Sequence, residues 1–474
     1  MKSKLFIWDR EKRFLILFTL VLFISFSPSK ALGQFIAIFC LSGLLFFVKI
    51  HQRKNILRYA IIFLAYSLIG VLYLLALPEF SFTNFFLFLV TASSVLIWFF
   101  DFRPILTPDL IRKLTPIILS ALLIEAFYGI AQGIAAGIRY RSFDTSIGDA
   151  VRGTIEPAFF TPSLGGNVIF VILISTLLIF ALGISHLRFT KTRIFVYGIV
   201  CFAWLIASAL HTILFFGAAV LFATLLIKKP RRDRQASHNL IVLRNSILTL
   251  AVCLGILLPI VLPRNFSTIR GFLSYNLDIR ENAYSEKARA TYVTIFKLPQ
   301  DWPLQPIIGV GPGQYSSRAA LIRTGQYIQG TSIPLSHYTS TLTDKYILTL
   351  WQSFLLKPGH GSTYFPFYSW MSLYGEMGIL GILIAIYSIL RIVINLRKWN
   401  SKEFPGLNLT LIVLLFYIAL LGLQDNYWEF TQAIFPAFIM LSLGYQYLKK
   451  ENEVNKNVPL NPGIKNGTGY QTEN

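Results

Sequence analysis

The side chains best suited to chemistry gather in one polar stretch, residues 263–363. His337 and His360 are its two histidines, and histidine is the side chain that exchanges a proton near neutral pH. His360 lies in KPGHGSTYFP, just ahead of an apolar run that opens around Pro366; from there it could act as base for a hydroxyl nucleophile. The same stretch holds 10 basic residues against 5 acidic ones, with arginine outnumbering lysine. Arg270, Arg280, Arg289 and Arg318 are candidate phosphate ligands, because a guanidinium meets phosphate through two parallel N–H donors. The plainer alternative for any one of them is pairing with a neighbouring acid or a lipid headgroup. The segment GVGPGQY, Gly309 to Tyr315, places Gly311 and Gly313 in an irregular turn with backbone N–H groups turned outward. Such a turn could cradle phosphate, or simply fold the loop back onto the membrane. Glu125 and Glu376 interrupt apolar runs, and an ionisable group within a membrane is a functional candidate; Glu376, about three turns below its helix start, could face a water-filled cavity, and pairing with a nearby arginine would explain it equally well. No DxD, HExxH, Walker or dinucleotide-binding pattern occurs in a credible context, so neither a metal nor a cofactor is indicated.

The elements that must position these residues are apolar helices. The 474-residue chain is 54% hydrophobic and only 14% charged, whereas soluble domains carry about a quarter charged residues. Runs of membrane-spanning length recur to the C-terminus. They predict an all-α polytopic membrane protein with twelve spans, near 13–27, 31–48, 57–77, 82–100, 115–137, 159–184, 193–207, 210–227, 245–262, 365–394, 407–423 and 431–448. The long apolar stretch from Arg193 to Ile227 is divided near Ser208 to His211. With both termini cytoplasmic, the inner segments hold 29 of the 43 Lys and Arg residues and the short outer loops hold 4. This is the asymmetry that sets topology, and it accounts for the net charge of +21 without a nucleic-acid partner. The domain plan is therefore a helical membrane domain over 1–448 with an outer loop insertion at 263–363 between spans nine and ten, followed by a disordered cytoplasmic tail at 449–474. Within the loop, Ser285 to Phe296 is expected to be an amphipathic helix. Cys40, Cys201 and Cys253 lie in apolar runs with no pairing logic and read as buried hydrophobes. Tyr427 and Trp428, in the last outer turn with Asp425 and Glu429, read as interface anchors.

Four segments taken together resemble the O-antigen ligase and polymerase family of bacterial envelope enzymes. YGIAQ, Tyr128 to Gln132, is similar to its Tyr-Gly-x-x-Gln, and RGTIEPAFFTPSLGG, Arg152 to Gly166, to its Arg-x-Gly-Thr-x-x-x-Pro segment. Arg289 ahead of GVGPGQY is similar to an arginine followed by a glycine-rich turn in the large periplasmic loop. HGSTYFPFYSWMSLYGEMGILG resembles the entry into the next span. The resemblance covers about residues 115 to 448. It implies a metal-independent, GT-C-like glycosyltransferase of the inner membrane with a periplasmic loop. Such an enzyme moves glycan from undecaprenyl diphosphate to an acceptor hydroxyl, building O-antigen or exopolysaccharide. Arg152 and Arg289 would hold the diphosphate and His360 would be the base; a flippase and a chain-length regulator would be partners. Two departures stand out. Phe367 occupies the place of the family histidine, with His360 farther upstream, and His211 stands in SALHT where the family carries an arginine. The displaced histidine tilts the reading toward a polymerase over a ligase that uses lipid A core or protein as acceptor. A transporter or flippase of envelope glycan is the rival of another class; it would place charge near the midplane on broken helices, whereas here charge concentrates outside.

Overall fold

The computed structural model describes residues 2–45, 52–77, 80–141, 145–159, 166–185, 191–207, 209–226, 270–271, 273–322, 340–356 and 365–457. Every regular element among them is helical. The principal helices are α1 (Lys2–Ser25), α2 (Lys30–Gly43), α3 (Gln52–Ala76), α4 (Phe82–Thr91), α5 (Pro108–Tyr140), α6 (Gly166–Ile184), α7 (Lys191–Ile206), α8 (Leu210–Leu226), α9 (Glu286–Tyr292), α10 (Arg318–Ile322), α11 (Ser369–Lys398), α12 (Leu407–Leu421) and α13 (Thr431–Asn457). Local sequence explains several boundaries. Ser29, Ser81 and Thr107 accept from the third residue of α2, α4 and α5 respectively, which satisfies one orphan amide at each start. Pro108 opens α5, where its missing N–H costs nothing, and Arg141 closes it in the left-handed conformation at φ 51°.

Four helices are long and apolar enough to cross a membrane: Arg53–Ala76, Pro108–Tyr140, Gly166–Ile184 and Ser369–Lys398. The pair Phe82–Thr91 and Ser93–Phe99, bent by 60°, makes a fifth. Twelve full-length spans are thus not found among the described residues. For four of them the reason is length: Leu32–Gly43, Arg193–Ile206, His211–Leu226 and Leu407–Leu421 are apolar but shorter. At 1.5 Å per residue the 15-residue α12 covers only ~22 Å, less than a hydrocarbon core of about 30 Å. The expected span at 245–262 lies outside the described residues. The long apolar stretch does break as expected, with α7 ending at Ile206 and α8 starting at Leu210.

α6 is the centre of the bundle, with 89% of its apolar window buried. It packs on α5, α8, α12 and α13, and Gly183 lets it approach α12 so closely that a Cβ there would collide with the Thr410 side chain. α3 and α11 are peripheral, and Leu64, Leu75, Ile384 and Tyr387 stand exposed on them, as apolar surface facing lipid would. A second, smaller core belongs to the polar stretch itself: Leu298, Val310, Tyr315, Leu321, Ile347, Trp351 and Phe354 pack with Phe367 and Met371 from around the start of α11. α9 covers the expected amphipathic segment, and a π turn at Val293–Lys297 continues it.

Three expectations change. The C-terminal helix runs to Asn457, so residues 449–457 of the expected disordered tail are helical, while 458–474 lie outside the described residues. Cys40 is buried as expected, but Cys201 is exposed on α7; Cys253 lies outside the described residues. Tyr427 is buried, and Trp428 donates from Nε1 to the Ile418 carbonyl at 2.7 Å and packs on Trp370. The partly exposed Trp428 ring thus ties the last turn to α11 and α12, while buried Tyr427 is not a surface anchor.

Candidate functional site

The ends of α5, α7 and α12 and the starts of α6, α8, α11 and α13 meet at one end of the bundle. A run of polar side chains, most of them buried, links them. It begins on α5, in YGIAQ. Gly129 lets Phe170 come close, within 2.9 Å of where a Cβ would stand. Tyr128 donates to the Pro157 carbonyl at 2.8 Å. Gln132 clamps the segment after α5: its Oε1 accepts from the Arg152 and Gly153 amides, both at 2.8 Å, and its Nε2 donates to the Glu156 carbonyl at 2.8 Å. Gly153 sits at φ 62°, and a Cβ there would run into the Glu125 carboxylate. Glu125 accepts from the Thr154 amide at 2.9 Å and from its hydroxyl at 2.5 Å. Two of the sequence segments therefore fold on each other, and Glu125 is a fastening between them rather than a group facing water.

The clamp buries Arg152 to 1% exposure, with Nη1 2.6 Å from the Glu156 carboxylate. Asp149 lies alongside, still exposed at its rim; the protein packed around it partly desolvates its carboxyl and raises it above the usual range, and the Arg152 charge pulls it partly back. Asp149 accepts from Asn167, the second residue of α6, which also donates to the Ala207 carbonyl at the end of α7. Across the α7–α8 turn, Thr212 approaches Gln424 at 3.4 Å, and the Gln424 carbonyl accepts from Lys287 of α9. Lys287 is buried, its ammonium 5.5 Å from the Tyr368 ring centre. Burial holds it down to about 8, with Asp425 countering. His211 lies within charge–charge range of Lys287. Lys287 and Gln424 were not singled out from sequence. The usable signal was that Lys287 stands two residues before Arg289 in a segment already expected to be helical.

Arg289 lies half-buried on the same helix, and its Nε has no hydrogen-bond partner among the described residues. Arg318, by contrast, is engaged. Its guanidinium stacks on Phe430 at 4.3 Å, and with the Gln34 amide turned to accept, that oxygen is 2.7 Å from Nη2. Its backbone N–H donates to Glu429 at 2.6 Å. Glu429, in the turn before α13, is pushed up to about 8, first by burial and then by the charge of Glu376; the Arg318 and Ala319 amides and the Arg318 charge oppose the shift.

The glycine turn differs most from expectation. Its amides do not face outward. Gly313, Tyr315 and Ser317 donate to the Glu376 carboxylate at 2.6, 3.0 and 2.9 Å. Val310 and Gly311 donate to the carbonyls of Gly375 and Glu376 at 3.0 and 2.9 Å. A carboxylate of the chain itself therefore occupies the anion nest that Gly311 and Gly313 were expected to offer a phosphate. Glu376 faces this turn, not a water-filled cavity or an arginine. Gly309 (φ 76°) and Gly378 (φ 63°) let the two backbones touch, since a Cβ on either would strike the other segment's main chain. Gln314 fastens the far side of the turn to Ser81 with two bonds of 2.9 Å.

No protein-family model and no curated protein matches the chain.

What the layer can do therefore rests on its own chemistry. It sets Arg152, Lys287 and Arg289 at one end of an apolar bundle, with amide and hydroxyl groups of Gln424, Asn426 and Ser372 between the elements that carry them. Two expected ligands stand apart: Arg270 is exposed, and Arg280 is 69% exposed and paired with Asp278 at 2.8 Å. His337 and His360 lie outside the described residues. Among the described residues no group of three His, Cys, Asp or Glu side chains could hold a metal ion.

Proposed function

We propose that the chain is a membrane glycosyltransferase that moves glycan from a polyprenyl-diphosphate donor to an acceptor hydroxyl, as a polysaccharide polymerase or ligase. The observation that carries the reading is Arg289: a half-buried guanidinium whose Nε lacks a partner among the described residues, two residues along the same helix from buried Lys287. Fixed positive charge in a water-poor site is what a departing diphosphate needs. In the reaction the acceptor oxygen bonds to the anomeric carbon, the bond from that carbon to the diphosphate oxygen breaks, and the hydroxyl proton passes to a base, assigned to His360. The diphosphate leaves as an anion stabilised by Arg289 and Arg152. The four sequence segments similar to the O-antigen ligase and polymerase family support this reading. Acceptor, sugar and periplasmic placement of the loop belong to the proposal.

The test is transfer of labelled glycan from polyprenyl diphosphate by the purified protein in vesicles, with Arg289→Ala and Arg289→Lys beside it. Loss on Arg289→Ala of about a hundredfold or more, with partial retention in Arg289→Lys, is expected for a charge that stabilises the leaving group. Full activity in Arg289→Ala removes the residue from the site. Deleting the gene separates the two acceptors: surface glycan of a single unit indicates a polymerase, and accumulated lipid-linked polymer a ligase.

A second reading, transport, is favoured by one observation. The α4 pair bends by 60° and Gly378 interrupts α11, and broken helices line many transport sites. Unchanged glycan with altered solute flux in the deletion strain would select it.

A further inference from the structure

The stretch from Trp302 to Ser317 carries no charged residue, and its first part is wedged between two of the helices long enough to span. Leu304 leads into a short helical turn, Gln305–Ile308. Tyr73, near the end of α3, donates from its hydroxyl to the Ile308 carbonyl. On the other side Gly378 of α11 meets the Ile307 carbonyl so closely that a Cβ would collide with it. Leu304 and Ile307 are three apart and so lie on one side of the turn; they are 50% and 54% exposed. Their neighbours on both helices are exposed and apolar too: Leu72 and Leu75 on α3, Ile379 and Leu380 on α11. The depth of the turn follows from the basic ends of those helices. A hydrocarbon core of about 30 Å takes ~20 residues of helix. Counted from Lys54 on α3 it ends at Leu74, beside Tyr73; counted back from Arg397 on α11 it ends at Met377, beside Gly378.

We propose that this turn is a membrane-seated wedge whose Leu304 and Ile307 side chains lie among the acyl chains of the leaflet on the loop's side. Its backbone suits that medium, where an amide without a partner is expensive. The amides of Trp302, Gln305, Ile307, Ile308 and Gly309 each donate to a carbonyl three or four residues back, and Pro303 and Pro306 have no N–H to satisfy. The Trp302 indole closes on the Gly309 carbonyl at 3.0 Å, as Tyr73 does on that of Ile308. Charge stops where the wedge begins: Asp301 is tied to Lys345 and to the Tyr346 hydroxyl. Lipid is the occupant because the exposed pair continues, on both sides, the exposed apolar surface of two spanning helices. The glycine turn that follows, closed on Glu376, is thereby braced at the level of the headgroups. The inference needs only that α3 and α11 cross the membrane, and it holds for a transferase and a transporter alike.

The experiment uses the full chain in phosphatidylethanolamine–phosphatidylglycerol nanodiscs. A nitroxide is attached at Ile307→Cys or, separately, at Leu304→Cys, each in a Cys40→Ala, Cys201→Ala, Cys253→Ala background. Its collisions with oxygen and with a water-soluble nickel chelate are then compared. Both positions are expected ~5–10 Å below the headgroup level, where oxygen is the stronger relaxant. Leu383→Cys, on the exposed face of α11, is the lipid control and should behave alike. Arg280→Cys, on an exposed part of the polar stretch, is the water control and should show the reverse. The wild-type chain is labelled in parallel with a lipid-soluble diazirine, a measurement that stands even if a cysteine variant fails to fold; label is expected within residues 302–309. Nickel as the stronger relaxant at either site, or no label in 302–309, overturns the proposal in favour of a loop that faces water. Exclusion of both relaxants from either site overturns it in favour of a protein contact, which two chains per disc would identify as a second copy.

Discussion

Replacing Glu376 with Gln distinguishes a carboxylate that does chemistry from one that holds a loop. The wild-type carboxylate accepts three backbone N–H groups, from Gly313, Tyr315 and Ser317, at 2.6 to 3.0 Å. Hydrogen bonds to a charged group contribute about 1.5–3 kcal/mol each, and a buried donor left without a partner costs about 1–3 kcal/mol. Glutamine keeps one oxygen and turns an NH2 toward donors, so at least one amide loses its partner and the remaining bonds lose their charge. Taking the lower figure for each gives roughly 3–5 kcal/mol of lost anchoring for the turn. Because the turn docks on α11 mainly through this residue and the two carbonyls beside it, the loss should appear as local opening. At about 1.4 kcal/mol per tenfold, that is about a hundred- to several-thousandfold faster amide exchange at 313, 315 and 317. Exchange in the bundle, for instance along α6, should be unchanged.

The assay is hydrogen–deuterium exchange of the protein in nanodiscs, with glycan transfer measured on the same preparations. The fastening account predicts that protection at 309–317 and activity fall together, and that both recover in part when an added contact re-anchors the turn. If Glu376→Gln abolishes activity while exchange at 313, 315 and 317 stays within about threefold of wild type, well under 1 kcal/mol, the structural account is wrong and the residue acts on substrate.

Other outcomes follow from the same geometry. Gly309→Ala and Gly378→Ala each force a Cβ into the opposing main chain at positive φ and should cost at least about 2 kcal/mol, read as a lower unfolding temperature. Gly217→Ala, in α8 with nothing near, is the control and should be neutral or stabilising by up to about 1 kcal/mol. Gln132→Ala removes the acceptor of two amides and the donor to Glu156; a loss of about 2–4 kcal/mol should appear as rapid exchange at 152 and 153. Glu429 titrates near 8 when folded, above its unfolded value of about 4.3, so the folded state binds the extra proton. Its contribution is complete below about 4.3 and is lost as pH rises through about 8. The unfolding temperature should fall across that window, and Glu429→Gln should flatten the fall.

The all-helical class of fold could be read from the sequence because apolar runs are local quantities, scored over a window no longer than a helix. The division of the stretch after Arg193 succeeded for the same reason. What the polar groups bond to could not be read that way. Glu376 reaches 59 to 63 residues back to the glycine turn, the Arg318 amide donates across 111 residues, and Lys287 finds its carbonyl 137 residues on. Nothing in the spacing of a glutamate and a set of glycines says that one fills the other's nest. Both the phosphate cradle and the intramolecular carboxylate need the same exposed amides, so the sequence signature is shared and only the partner differs. The same logic accounts for Arg318 and Arg289. As sequence they are equivalent arginines in one loop; in the fold Arg318 has an aromatic face, an amide and a glutamate beside it, while the Nε of Arg289 is left with no acceptor among the described residues. A buried guanidinium nitrogen without an acceptor is costly, and a ligand that supplies one recovers that cost on binding. The arginine that the fold satisfies least, and not the one nearest the glycine motif, is therefore the stronger candidate for substrate contact.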